Sequence, residues 1–166
     1  MDTAVMICLA ATSLSFANAE QVCKQADVVV ELAEKYDIKP EIIVSMVYHE
    51  SNWNPKVVSR AGACGLTQVI PRWTKSPKLT CKQLKEDPAL SLRTGVAMLD
   101  KLLTSKKYAD GNIKIALCAY NAGYSNCRSH RTARRSNRYG RGILRTAEKF
   151  KGKMLLFEDD LEAEVF

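Results

Sequence analysis

One carboxylate in this 166-residue chain stands where a hydrophobic side chain is expected. Ile43, Met46, Val47 and Glu50 fall at i, i+3, i+4 and i+7, so on a helix Glu50 continues an apolar stripe. Partial burial disfavours the charged form of a carboxyl and raises its pKa, the property required of a general acid working near neutral pH. An exposed glutamate in a fraying last turn fits this helix equally well when the helix is taken alone. The residues that follow bear on the choice.

Glu50 leads into Ser51, Trp53, Asn54 and Pro55, then Ser59 and the run Gly62-Ala63-Cys64-Gly65-Leu66-Thr67-Gln68, and later Ala119-Tyr120-Asn121-Ala122-Gly123. In order and spacing these segments resemble the three successive motifs of the family 23 lytic transglycosylases, relatives of goose-type lysozyme. The similarity runs from about Val22 to Phe150. It implies a mainly α, lysozyme-like single domain that cleaves the MurNAc-GlcNAc β-1,4 bond of peptidoglycan glycan strands. It also implies that Glu50 protonates the glycosidic oxygen and then acts as base, while the muramic acid 6-hydroxyl attacks its own anomeric carbon and closes a 1,6-anhydro ring. A retaining glycosidase with two carboxylates needs a second acid close to the first. Asp87 and Asp110 instead read as caps or turn formers, and Asp100 falls on a polar face.

Two rival functions stay in view. A muramidase on the same fold would hydrolyse the bond and need a positioned water. A non-catalytic peptidoglycan-binding accessory of a secretion or conjugation apparatus would tolerate loss of Glu50.

For the remaining motif residues the resemblance implies roles that compete with structural ones. Gln68 is expected to contact substrate, although it also suits a loop-holding role, and Ser59 serves the loop or the sugar. The Tyr120 hydroxyl is expected to point at the catalytic carboxyl, with simple core packing as its alternative, and Asn121 to steady the cleft. Tyr139 is the candidate for the family's tyrosine before the final helix. Ser51, Gly65 and Gly123 are read as structural residues near the site. His49, directly before Glu50, points elsewhere on a helix and is read as a bystander. Thr67, where many relatives carry methionine, is expected to affect substrate fit.

Helices must position these groups, because apolar residues recur three or four apart throughout and no segment alternates like a half-buried strand. Val22, Ala26, Val29, Val30, Ala33 and Tyr36 make a stripe for a helix from about Glu20 to Tyr36. Pro40 suits the first turn of the next, where its missing N–H is not needed; that helix should end by Asn54-Pro55. The 59–65 segment reads as a binding loop running into a short helix around Leu66 to Ile70, followed by an irregular basic segment after Pro71. Asp87-Pro88 opens a helix with Leu92, Val96, Leu99 and Leu103 on one face. Asp110-Gly111 forms a turn before a helix bearing Ile113, Ala116, Leu117 and Tyr120, which Gly123 is expected to end as a left-handed cap. A last helix is expected from about Gly142 to Phe150.

Residues 1–19 read as an export signal: Ala4 to Phe16 is almost entirely apolar, and Ala17-Asn18-Ala19 forms an A-x-A cleavage site. An uncleaved anchor is the alternative, since Asp2 is the only charge before Glu20; the enzyme domain is 20–152, with an acidic tail at 153–166, and the expected location is periplasmic or secreted. Losing the leader removes Cys8 and leaves five cysteines. An oxidising compartment permits disulfides; the local pairings Cys64 with Cys81 and Cys118 with Cys127 are expected, which leaves Cys23 free, although sequence does not determine connectivity. No spacing suggests a metal site, and no cofactor is implied.

The formal charge of +7 suits a polyanionic partner such as peptidoglycan, with its stem-peptide carboxylates. Arg128 to Arg145 holds seven arginines and no acid. That stretch would also suit nucleic acid, but no base-stacking aromatic pattern accompanies it, so nucleic acid is not expected as a partner. The tail, with Leu155, Leu156, Phe157 and Phe166 among acids, offers a surface for a protein partner or for the enzyme itself. The expected state is a monomer.

Overall fold

The computed structural model describes residues 2–75, 77–128 and 130–163, and their side chains except those of 128, 130–137 and 159–163. Nine helices account for most of the described chain: α1 (Thr3–Ser13), α2 (Ala19–Lys24), α3 (Ala26–Tyr36), α4 (Pro40–Ser51), α5 (Cys81–Glu86), α6 (Pro88–Thr104), α7 (Ile113–Ala122), α8 (Tyr124–Arg128) and α9 (His130–Ala163), with a 3-10 turn at Pro71–Trp73. Among the described residues, extended pairing is confined to isolated bridges of Cys64 with Val58 and Val69. The chain is therefore mainly α, as its periodicity indicated.

Local chemistry explains most helix ends. Pro40 occupies the first turn of α4, and Asn52 ends that helix in the left-handed conformation, φ +50°. The Asp87 carboxylate accepts from the Leu90 amide and caps α6. The Asn112 side chain accepts from the amides of Lys114 and Ile115 at the start of α7. Asp110 and Gly111 both take positive φ in the turn between α6 and α7.

A core between helices holds the site. Ile43, Val44, Met46 and Val47 of α4 lie wholly buried with Leu92, Val96 and Leu99 of α6, Ala116 and Leu117 of α7, and Ile143 and Phe150 of α9. Truncating one of the large aliphatic side chains to alanine would cost about 2–5 kcal/mol. α9 packs against α4, α7 and α1.

Several elements differ from the sequence reading. The helix expected over Glu20 to Tyr36 breaks at Gln25, φ −112°, into α2 and α3. No helix forms at Leu66 to Ile70, because positive φ at Gly65 and Gln68 turns the chain back into the Cys64–Val69 bridge. The segment read as irregular contains α5, begun by a capping box in which Thr80 and Gln83 bond reciprocally. Gly123 ends α7 with φ +78° but ψ 146°, so it is not a left-handed cap. The helix expected at Gly142 to Phe150 is the middle of the 34-residue α9, which runs on unbroken across residues 152–153.

The N-terminal segment is a helix whose Ile7, Ala10 and Ala11 are buried in the common core. Phe16 lies against the rings of Tyr48 and Phe150, at 4.5 and 5.8 Å between centroids. Cys23, expected to be free, is bonded to Cys8. Cys64 is bonded to Cys81 and Cys118 to Cys127, the local pairings expected. Among the described residues no helix is long and apolar enough to cross a membrane.

Candidate active site

Glu50 is the penultimate residue of α4, and burial, the dominant influence on it, raises its pKa to about 7. The Tyr139 hydroxyl, from α9, donates to Oε1 of Glu50 and partly opposes that rise by favouring the carboxylate. Burial first, and then the neighbouring Glu50, push the Tyr139 and Tyr120 phenols well above the ordinary tyrosine range. Both hydroxyls therefore stay protonated as donors near neutral pH. Among the described residues no group of three His, Cys, Asp or Glu side chains is arranged to hold a metal ion.

The chain after α4 is folded back onto it. Asn52 and Trp53 both adopt positive φ, and the fully buried Trp53 indole donates to the Val44 carbonyl at 3.1 Å. The Ser51 hydroxyl lies 2.7 Å from the Leu66 carbonyl, tying the following loop to the end of α4 beside Glu50. Within the loop, the Gly65 amide donates to the Val57 carbonyl at 3.1 Å and the Cys64 amide to the Val69 carbonyl at 3.0 Å. Gly65 has φ +76°, and a Cβ there would fall 2.3 Å from the Leu84 carbonyl oxygen. Only glycine meets both demands. The Cys64–Cys81 disulfide fastens the loop to α5.

Thr67 links the loop to α6 and α7 at once. Its hydroxyl donates to the Ser91 carbonyl at 2.7 Å, and its own carbonyl accepts the Tyr120 hydroxyl at 2.7 Å. A Cβ on Gly95 would come within 2.3 Å of the Thr67 Cβ, so glycine on α6 opens the space that Thr67 fills.

Residues 27–140 match the transglycosylase SLT domain. The chain belongs to this family. The SLT domain is 34% identical over 89 residues to the transglycosylase of Enterobacteria phage PRD1, covering 54% of this chain and 31% of that protein. It is 31% identical over 99 residues to membrane-bound lytic murein transglycosylase F of Pectobacterium atrosepticum, covering 57% and 20%. To membrane-bound lytic murein transglycosylase C of Histophilus somni it is 33% identical over 109 residues, covering 55% and 28%. The matches span only about a fifth to a third of the length of these relatives. In fold it is similar to an inactive mutant of lytic transglycosylase Slt from Pseudomonas aeruginosa, with TM-score 0.68 and 20% identity over 91% of this chain and 30% of that one. A lysozyme-like architecture is thereby established.

The SLT domain brings some of the sequence candidates together and gives others different partners. Glu50 and Tyr139 meet, and Tyr120 stands near enough for the Glu50 charge to act on it, but its hydroxyl bonds to the Thr67 carbonyl rather than to the carboxyl. The Gln68 amide donates to the carbonyls of Val57 and Gly65, at 3.2 and 3.0 Å, which is the loop-holding role. The Ser59 hydroxyl accepts from the Ala63 amide at 3.0 Å, also within the loop. Asn121 is exposed on the last turn of α7. Thr67, expected to tune substrate fit, is buried against Ser91. The side chains of the arginines at 128, 131, 134 and 135 and the tail residues Glu164 to Phe166 lie outside what is described.

His49 points away from the Glu50 carboxyl, as a bystander to it would, and has partners of its own on α9. Its Nε2 lies 2.9 Å from the Thr146 hydroxyl on α9, and its ring meets those of Tyr48 and Tyr139 edge-on. Partial burial holds its pKa below the usual imidazole range. The i, i+3, i+7 spacing of Tyr139, Gly142 and Thr146 on a helix is the signal that links it to this face, but only once α9 is known to extend through Tyr139.

Proposed function

We propose that this SLT domain is a peptidoglycan lytic transglycosylase in which Glu50 alone serves as acid and base. The observation that carries the reading is a partly buried carboxyl with its pKa raised to about 7 and bonded to Tyr139. The named activities of the relatives, two of them murein transglycosylases, point the same way.

Protonated Glu50 gives its proton to the oxygen of the MurNAc-GlcNAc β-1,4 bond as the bond from that oxygen to the muramic anomeric carbon breaks. The resulting carboxylate then takes the proton of the muramic 6-hydroxyl while that oxygen bonds to the anomeric carbon. A 1,6-anhydro ring forms, Glu50 regains its proton, and no water enters. A pKa near the operating pH suits a group that must give and then take one proton. The Tyr139 hydroxyl stabilises the carboxylate between the two transfers. Ser59, Gln68 and Asn121 border the glycan in this reading, with the loop held by the bonds already described.

The compartment is the cell wall: the Cys64–Cys81 and Cys118–Cys127 disulfides, both outside the leader-like residues 1–19, suit oxidising surroundings. The basic charge draws the protein, as a monomer, to the stem-peptide carboxylates. The exposed Leu155 and Leu156 near the end of α9 offer a contact for a protein partner. The experiment is release of soluble fragments from purified peptidoglycan by the wild type and by Glu50→Gln. The wild type should solubilise the wall and the variant should bind it without cutting; equal release by both would end the proposal.

A further inference from the structure

The imidazole of His49 occupies a notch on α9. A Cβ at Gly142 would lie 3.2 Å from Cε1 of His49, so the ring rests directly over the glycine, with Tyr139 one turn before it and Thr146 one turn after. The Thr146 hydroxyl lies 3.1 Å from the Gly142 carbonyl, to which it can donate its single proton. With that proton engaged, the hydroxyl can accept from a protonated Nε2 of His49 in the 2.9 Å contact, and the imidazole also interacts with the Gly142 backbone. His49 and Glu50 are consecutive on α4, and the α9 residues they engage, Thr146 with Gly142 and Tyr139, stand on one face of that helix.

We infer that His49 is a positioning residue for the acid: by seating in the Gly142 notch and bonding to Thr146 it fixes α9 against α4 in the register that delivers the Tyr139 hydroxyl to Glu50. The inference rests on the reading of Glu50 as the acid/base. His49 touches neither the carboxyl nor the substrate in this account. Its effect on Glu50 passes through Tyr139, while Tyr120 from α7 is a further titratable group that the Glu50 charge reaches.

The test is a double-mutant cycle of His49→Ala with Tyr139→Phe, read as kcat and KM on peptidoglycan and as the pH profile of kcat/KM. Losing the clamp weakens a bond that favours the carboxylate, so the falling alkaline limb should move to higher pH, as in Tyr139→Phe. We expect His49→Ala to lower kcat about tenfold with KM unchanged, and to add less than about twofold once Tyr139 is already phenylalanine. His49→Gln, whose amide can donate to Thr146, should recover most of the loss, and Gly142→Ala, which fills the notch from the other side, should reproduce it. These two variants decide the matter should His49→Ala fold poorly by circular dichroism. Additive losses in the cycle, or an unmoved alkaline limb, would overturn the role of His49. Glu50→Gln run alongside reports on the acid itself: activity surviving there removes the Glu50 reading, whereas additivity beside an inactive Glu50→Gln removes only the His49 role.

Discussion

The Tyr139 hydroxyl donates to Glu50 Oε1, joining α9 to the end of α4 across 89 residues of sequence. Burial raises the carboxyl's pKa and this bond restrains the rise, so the value of about 7 is a balance between the two. Tyr139→Phe removes the restraint. Glu50 should then hold its proton to higher pH, and the alkaline limb of kcat/KM should move upward while kcat falls about tenfold. A pH series with the variant checks this, and a limb displaced to lower pH would show that the hydroxyl does not favour the carboxylate.

Glu50 also bears on stability. Its carboxyl binds a proton more tightly in the folded protein, about 7 against 4.5, so between those values the unfolded chain has lost a proton that the native protein keeps. Its contribution therefore makes native stability fall as pH rises through that window, by at most about 3 kcal/mol, and then level off above it. Glu50→Gln lacks the ionisation and should be more stable than wild type by about 1–3 kcal/mol near pH 8, with the gain vanishing near pH 4. Urea melts at both pH values measure it; a gain independent of pH would contradict the shifted pKa.

Thr67 is predicted to act through its fit against α6. Gly95→Ala would drive a methyl group into the Thr67 side chain, at 2.3 Å without rearrangement, and should cost about 2–3 kcal/mol. Thr67→Val, which keeps the shape but removes the donor to the Ser91 carbonyl, should cost about 1–2 kcal/mol. Thermal melts of the two variants provide the check, and wild-type midpoints in both would mean that the Thr67 clasp contributes nothing.

The Cys64–Cys81 bond closes a loop with sequence separation 17. Replacing both cysteines with alanine should lower unfolding free energy by about 2–3 kcal/mol through greater freedom of the unfolded chain. Since the loop carries Gly65, Thr67 and Gln68, activity should fall more steeply with temperature as well. An unchanged urea midpoint would argue against the first expectation.

Much of this arrangement was legible in the sequence because its signals are local. Glu50 on the apolar stripe of α4, Pro40 at its start, Asp87 as the cap of α6 and the turn at Asp110-Gly111 each follow from neighbouring residues. Less legible features depended on distant partners. Gly65 and Gln68 turn the chain through positive φ against α5 and the 57–58 segment, which helical spacing cannot convey. The packing of Thr67 depends on Ser91 and the gap at Gly95, both supplied by α6. The contacts of His49 with α9 were not legible because Tyr139, Gly142 and Thr146 are distant in sequence, on a helix whose arginine-rich first half hid its extent. Cys8 was set aside with the leader, which concealed its bond to Cys23. The capping box at Thr80 and Gln83 was visible in the sequence and would have located α5.

The most direct measurement is mass spectrometry of the muropeptides that the wild-type protein releases from purified peptidoglycan in water enriched in heavy oxygen. With Glu50 as sole acid/base and the muramic 6-hydroxyl as nucleophile, the products should carry 1,6-anhydro ends, lack the mass of one water, and contain no label. Labelled reducing ends would show that water is the nucleophile and would contradict the account.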